Sequence, residues 1–398
     1  MDFGQGSMKS NVILLGQRFN LIKKLKQRGY NVILVDENPN SEADKVIHVL
    51  EEMASLRLSE IDIRQFEFKD VEAVIPNTDL FVELTAKIRE ELYPHTLGIG
   101  FKESQNVRDK LKTKIWAKQN NMAIAKFSSL ENFSYDDLSK HLGRTFLIKP
   151  KKLILARGIK KISSQSDWSN WHSKNKNILS QFYAEEFVEN FMELSCDTIV
   201  SGGKILAQFP CEYSVNCLES NEKHEGFGAI FPPHLGEEEI LNLKALAAKV
   251  VQCFNIETGY CHIEFLKSDR GILFGEVGVR LAGGLHPATE SLVLDQDIED
   301  IFLDLYLNPK HISLEARDKY LGYYLFPKKP GKVVSIQNKL DTVSWVLTSK
   351  INISVGEIIP WEDSSVASSA TTIFEAASPA ELKERIELVK KLFSVEMA

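Results

Sequence analysis

The sequence predicts an α/β protein that becomes α+β in its C-terminal part, and three stretches carry the prediction. Residues 11–36 open with the apolar run Asn11-Val-Ile-Leu-Leu-Gly, continue with helical spacing from Arg18 to Gly29, and close on Asn31-Val-Ile-Leu-Val-Asp. Two unbroken apolar runs joined by a helix predict a βαβ unit in a buried parallel sheet. The stretch from about Ala125 to Glu186 predicts a small α/β module. Residues 259–284 place two runs rich in β-branched and aromatic side chains on either side of Asp269-Arg270-Gly271, the pattern of an antiparallel hairpin.

That hairpin is the candidate chemical centre. A three-residue loop with Gly271 left-handed would pair Ser268 with Ile272 and set Glu264 opposite Glu276, with Arg280 further along the same face. Facing carboxylates repel and call for a cation, and two hard oxygen donors suit Mg²⁺, with Mn²⁺ as an alternative. Arg280 could then hold a phosphoryl group in its planar fork. The same acids would be ordinary surface groups if the register slipped by one residue, because the slip sends them to opposite faces.

Composition narrows the function classes. A chain of 398 residues exceeds what one core usually supports and predicts two or three domains. With 43% hydrophobic and 26% charged residues the composition is that of a soluble globular protein, and a net charge of −7 argues against general nucleic-acid or anionic-membrane binding. No apolar stretch reaches the ~18 residues of a membrane span and no signal-peptide pattern is present. Five cysteines without CxxC spacing read as reduced residues of a cytoplasmic protein, not as a disulfide frame or zinc site. Residues 1–7, before a second Met, read as an expression-vector scar.

Along the chain, Asp36 ends the second strand where a dinucleotide-binding domain would hold a ribose, but the turn Gly16-Gln-Arg lacks G-x-G-x-x-G and argues for a scaffold. Val71–Pro76 continues the sheet, Thr78–Leu92 predicts a helix, and so does Ser104–Gln119 with its Arg108, Lys110, Lys112, Lys114 and Lys118. Such a charge run reads as a solvated face. Thr145-Phe-Leu-Ile-Lys-Pro is a strand ending at Lys149, followed by a loop with Ala156-Arg157-Gly158-Ile159; the Lys and loop amides are either a phosphate cradle or an ordinary strand end. Gln181–Val188 predicts a strand with Glu185-Glu186, and 193–207 a hairpin turned at Ser201-Gly202-Gly203. Gly236–Phe254 is amphipathic; His286-Pro287 marks a break before a mostly helical 288–307. The tail predicts strands at 320–326, 332–337 and 351–355, then a helix at 379–393 capped by Ser378.

In this order the landmarks resemble the ATP-grasp superfamily, most closely its carboxylate–amine ligases, including the L-amino-acid ligases. The resemblance rests on Arg-Asp-Lys at 108–110, Leu-Ile-Lys-Pro at 147–150, Ala-Arg-Gly-Ile at 156–159, Glu-Glu-Phe-Val at 185–188 and Met-Glu-Leu-Ser-Cys-Asp at 192–197. It continues through Gly-Tyr-Cys-His-Ile-Glu-Phe at 259–265 and Gly-Glu-Val-Gly-Val-Arg-Leu-Ala-Gly-Gly at 275–284. It implies an N-terminal Rossmann-like domain at 8–104, an ATP-grasp domain at 105–312 with a lid at about 125–187, and a C-terminal α/β region at 313–398 completing the core.

By this resemblance ATP lies between the lid and the central hairpin. Lys110 and Lys149, with the Arg157-Gly158 loop, meet phosphates; Glu185, Glu186, Phe187 and Val188 face adenine; Glu193 lies near the ribose. Glu264 and Glu276 hold Mg²⁺, and Arg280 and Glu276 act at the reacting groups. The implied activity is ADP-forming amide ligation of a small carboxylate, such as an amino acid, with an amine through an acyl phosphate. His262, His286, Arg157 and Glu212 are candidates for the substrate pocket, and a homodimer is common among similar ligases. Two alternatives remain: a ligase or carboxylase acting on a nucleotide precursor or bicarbonate, and a degenerate ATP-binding regulatory module. The second is motivated by Lys-Lys-Leu-Ile-Leu after Lys149, where the family carries glycines; Val277 stands where many members carry a metal-binding Asn, although the amino-acid ligases commonly have a small or apolar residue there.

Overall fold

The computed structural model describes residues 9–131, 133–154, 156–223, 225–360 and 367–398; the proposed vector scar at 1–7 lies outside them. The βαβ prediction holds. Asn11–Leu15 pairs in parallel with Asn31–Asp36 and with Val71–Pro76, and Lys45–His48, not foreseen in the sequence, adds a fourth parallel strand. The inner strands are buried on both faces, which is why they read as unbroken apolar runs. Asp36 accepts backbone hydrogen bonds from Gln17 and Asn38, both at 2.8 Å, so its carboxylate stabilises the local turns of this sheet.

An eight-stranded antiparallel sheet forms the centre, in the order 271–279, 259–268, 192–201, 204–213, 227–231, 320–327, 368–376, 346–351. Helix Glu237–Cys253 covers one face through Leu243, Ala247 and Val250, and Ile298–Leu307 joins the other face to the parallel sheet through Phe302 and Leu305. A separate sheet of Phe127–Ser129, Phe182–Glu186, Phe146–Pro150 and Lys160–Ile162 packs Phe146, Ile148 and Trp168 into its own small core. The strand expected at 181–188 is thus five residues long.

Four predicted elements change at their ends. The single helix expected at 104–119 is two, Phe101–Arg108 and Lys110–Gln119, because the Asp109 carboxylate accepts from the amides of Leu111 and Lys112 and starts a second helix. Thr78–Leu92 begins as a tight 3₁₀ turn, Asp79–Phe81, before Val82–Leu92. The break placed at His286-Pro287 is a helix start: Pro287 sits in the first turn of His286–Leu294, where its missing N–H has no partner to lose, and left-handed Asp295 ends that helix. The strand expected at 351–355 is Val346–Ile351, which ends where 351–355 was to begin. Strands Phe227–Phe231, Ser368–Ala376 and Phe393–Met397 were not foreseen.

The central hairpin keeps its predicted outcome by a different route. Ser268 pairs with Gly271, leaving only Asp269 and Arg270 in the turn, so the register near the turn is one residue off the expected one. A β-bulge between the Ile263–Val277 and Phe265–Phe274 pairs then sets Gly275 and Glu276 together against Glu264. The extra residue cancels the slip, and Glu276 stands level with Glu264 after all. Gly275 suits this position: a Cβ would lie 3.0 Å from the Glu264 carbonyl oxygen and crowd the bulge. Gly275→Ala is expected to cost about 1–3 kcal/mol through this crowding, read as a lowered denaturation midpoint; an unchanged midpoint would contradict it.

Candidate active site

A cavity of about 650 Å³ opens where the small sheet, the central hairpin and the ends of the parallel strands meet. Every candidate named above for nucleotide, metal or substrate lines it except Gly158 and Glu212. Gly158 takes φ 72° and packs toward Pro150, while Arg157 and Ile159 beside it reach the cavity. Glu212 is buried elsewhere, accepting from the His234 amide and pairing with Lys383 at 2.6 Å.

The glycine-free loop after Lys149 is held by the start of the second helix. The Lys110 amide donates to the Lys151 carbonyl at 2.9 Å, the Lys110 ammonium to the Leu153 carbonyl at 3.2 Å, and Arg108 to the Lys152 carbonyl at 2.8 Å. Lys152 itself reaches Glu83 of helix Val82–Leu92 at 2.8 Å. The Arg-Asp-Lys triplet therefore caps a helix with its middle residue and grips the loop with the other two.

Carboxylates pair with these cations around the cavity. Lys110 meets Glu276 at 2.9 Å. Glu185, 2% exposed, receives Lys149 at 2.8 Å, Lys114 at 3.3 Å and the Tyr183 hydroxyl at 3.0 Å. Burial works to raise the Glu185 carboxyl, but Lys114 and Lys149 overcome it and hold it at about 2. Burial lowers Lys114, whereas the direct bond to Glu185 leaves Lys149 raised. Lys114 thus departs from the solvated face that the charge run implied. Glu186 pairs with Arg270 at 3.1 Å, and the Lys161 ammonium lies 3.9 Å from the Phe187 ring centre. Glu193 accepts from the Cys217 amide at 2.7 Å; burial and the neighbouring charge of Glu264 push it up to about 7.

Three guanidiniums gather on one carboxylate. Arg280 donates to Asp79 at 2.6 Å, Arg108 lies 3.9 Å from it, and the Asp79 charge also reaches Arg18, although burial and the charge of Arg280 outweigh it and lower that guanidinium to about 10. Asp79 is held far below the usual carboxylate range despite its burial. Sequence reasoning missed Asp79 and Arg18, which lie at the ends of N-terminal strands, 201 and 262 positions from Arg280.

On the buried wall, Asp197 binds two imidazoles. His262 Nδ1 lies 2.5 Å from one carboxylate oxygen, and His286 Nδ1 lies 2.8 Å from the other. His262 Nε2 continues to Glu264 at 3.1 Å, and Tyr260 bridges Asp197 to Glu290 with 2.7 Å contacts. Burial would lower His262, but Asp197 and Glu264 push it up to about 10; burial prevails at His286 and lowers it. His286, a candidate for the substrate pocket, is 2% exposed. Asp197 was visible only as the last residue of the 192–197 motif.

The carboxylates of Glu264 and Glu276 fit a hard divalent cation. They come from adjacent strands at one level, and their side chains remain 24% and 40% exposed toward the cavity, leaving room for water and phosphate oxygens to complete a shell. Val277 adds no ligand atom. Among the described residues no helix is long and apolar enough to cross a membrane.

No family model matches the chain, and no curated protein matches it. Solved structures do. The L-amino acid ligase from Bacillus licheniformis aligns at TM-score 0.75 and 18% identity, over 98% of this chain and 99% of its own. Phosphoribosylglycinamide synthetase from Anaerococcus prevotii aligns at 0.71 and 14% identity, over 98% and 100%. N5-carboxyaminoimidazole ribonucleotide synthetase from Thermotoga maritima aligns at 0.71 and 16%, over 98% and 100%. At these identities the likeness speaks for architecture, and over nearly its whole length the chain has the ATP-grasp fold.

Proposed function

We propose that the protein is an ATP- and Mg²⁺-dependent carboxylate–amine ligase acting on small molecules, an amino acid being the favoured carboxylate. The observation that carries this reading is the convergence of Lys110, Lys149 and Arg280 with the level pair Glu264 and Glu276 on one cavity. The residues 125–187 serve as lid, between a scaffold domain at 8–104 and the catalytic region of 105–312, completed by 313–398.

Glu264 and Glu276 would hold Mg²⁺, which would neutralise phosphate charge. Lys110 and Lys149 screen the phosphates; the 185–188 strand end and Glu193 seat the nucleoside. The substrate carboxylate attacks the γ-phosphorus of ATP, the bond to the β–γ bridging oxygen breaks and ADP leaves, and Arg280, fixed by Asp79, steadies the acyl phosphate so formed. An amine then displaces phosphate. Alignment and charge stabilisation supply the rate, and the closed lid keeps water from the acyl phosphate. A second reading, a phosphate-bearing nucleotide precursor as substrate, is favoured by the surplus positive charge of Arg18, Arg108 and Arg280 over Asp79.

The test is phosphate release from ATP and Mg²⁺ against pooled amino acids, with mass spectrometry of the products. A product equal in mass to two inputs less water is expected. Release that requires a nucleotide precursor instead would select the second reading, and nucleotide binding without turnover on any of these would overturn both.

A further inference from the structure

We propose that Asp197, His262 and His286 form a second cation site, selective for a borderline divalent transition ion such as Zn²⁺, Co²⁺ or Fe²⁺ and separate from the Glu264–Glu276 pair. Each of the three residues offers one ligand atom, and those atoms all lie within 4.8 Å of one another. Two imidazoles and a carboxylate are the donor set of such ions, whereas Mg²⁺ prefers oxygen alone.

The surroundings are built as a metal centre's are. A ligating histidine usually donates its other ring N–H to a carboxylate, and His262 does so: with Nδ1 on the Asp197 side, its Nε2 lies 3.1 Å from Glu264. Asp197 is itself oriented by the Tyr260 hydroxyl, and His286 is packed edge-on by Tyr213, Phe231 and Tyr323. Among the described residues no Lys or Arg lies within ion-pair distance of Asp197 or Glu290; Asp197 pairs directly with the two imidazoles and the Tyr260 hydroxyl, and the Arg280 charge reaches it only from further off. The site is closed on the protein side, with Asp197 at 0% exposure, yet His262 and His286 line the cavity. The 2.5 and 2.8 Å contacts are the proton-bridged form; an ion at about 2.0–2.2 Å from each donor would replace the bridging protons and spread the donors apart.

The experiment is Co²⁺ titration of the chelator-stripped full chain in excess Mg²⁺, followed by its visible d–d absorption. One equivalent per chain is expected, with affinity lowered at least about a hundredfold in Asp197→Asn and His286→Gln and unchanged in Glu276→Gln. X-ray absorption of the Co²⁺-loaded wild type should show two imidazole ligands, and this readout stands even if the variants fail to fold. Absence of stoichiometric binding, displacement by Mg²⁺, retention in both folded variants, or fewer than two imidazoles would each overturn the site. None of these readouts requires turnover, so the ligase reading and the metal site fail separately.

Discussion

Glu276→Gln is expected to lower substrate-dependent ADP release at least about a hundredfold, the scale of removing one preorganised charge contact from a reacting centre. The substitution preserves side-chain size and the bulge at Gly275, so the hairpin should fold as before. It removes the negative charge that Lys110 meets at 2.9 Å and one of the two carboxylates assigned to Mg²⁺. On the proposed function both losses would act on the same phosphates: the cation would lose a ligand, and Lys110 the contact that aims it. A coupled assay for ADP, with wild type and variant compared at saturating Mg²⁺, reads the effect. Turnover within a few-fold of wild type would sink the assignment of Glu276 and, with it, the reading of the cavity as a phosphoryl-transfer site.

The second large effect is on stability. Glu185→Gln leaves Lys114 and Lys149 without the carboxylate that both contact, and breaking a buried pair in this way costs about 3–5 kcal/mol. The pH dependence has a fixed sign. The carboxyl sits at about 2 in the folded chain against 4.5 ordinarily, so its contribution is complete above 4.5 and is lost as pH falls through about 2. That shift corresponds to about 3 kcal/mol. Denaturant midpoints measured on descending pH should converge for wild type and variant, because only the wild type has this contribution to lose. A variant as stable as wild type at neutral pH would show that the two lysines do not depend on Glu185.

The hairpin shows how the sequence was informative and where it stopped. Alternation of apolar residues across 259–284 was enough to pair the strands and to set Glu264 level with Glu276. It could not distinguish a three-residue turn from a two-residue turn corrected by a bulge, since both give the same alignment beyond Gly275. The runs at 11–15 and 31–36 were legible because burial on both faces leaves no polar interruption. Strand Phe393–Met397 was not, because it continues directly from helix Pro379–Leu392 and no turn residue separates them. In the site, Lys110, Lys149 and Arg280 stood in recognisable motifs. Asp79 and Arg18 did not, and only the folding of the N-terminal sheet against the hairpin brings them to Arg280. Lys114 looked like one more exposed lysine, and its burial depends on the partner at Glu185, 71 positions away.

The loop after Lys149 has one further consequence. A glycine-rich flap opens cheaply and often, held by little besides the ligand beneath it. Here the flap is buckled: Lys152 is fastened to Glu83 in the N-terminal region, while its backbone carbonyl is hooked by Arg108. Glu83 is 4% exposed, so unfastening strips a shielded carboxylate of its counter-ion before solvent fully reaches it. On the proposed function, opening this loop would require both contacts to break, so side chains remote from the reacting atoms would set how long a finished product stays inside.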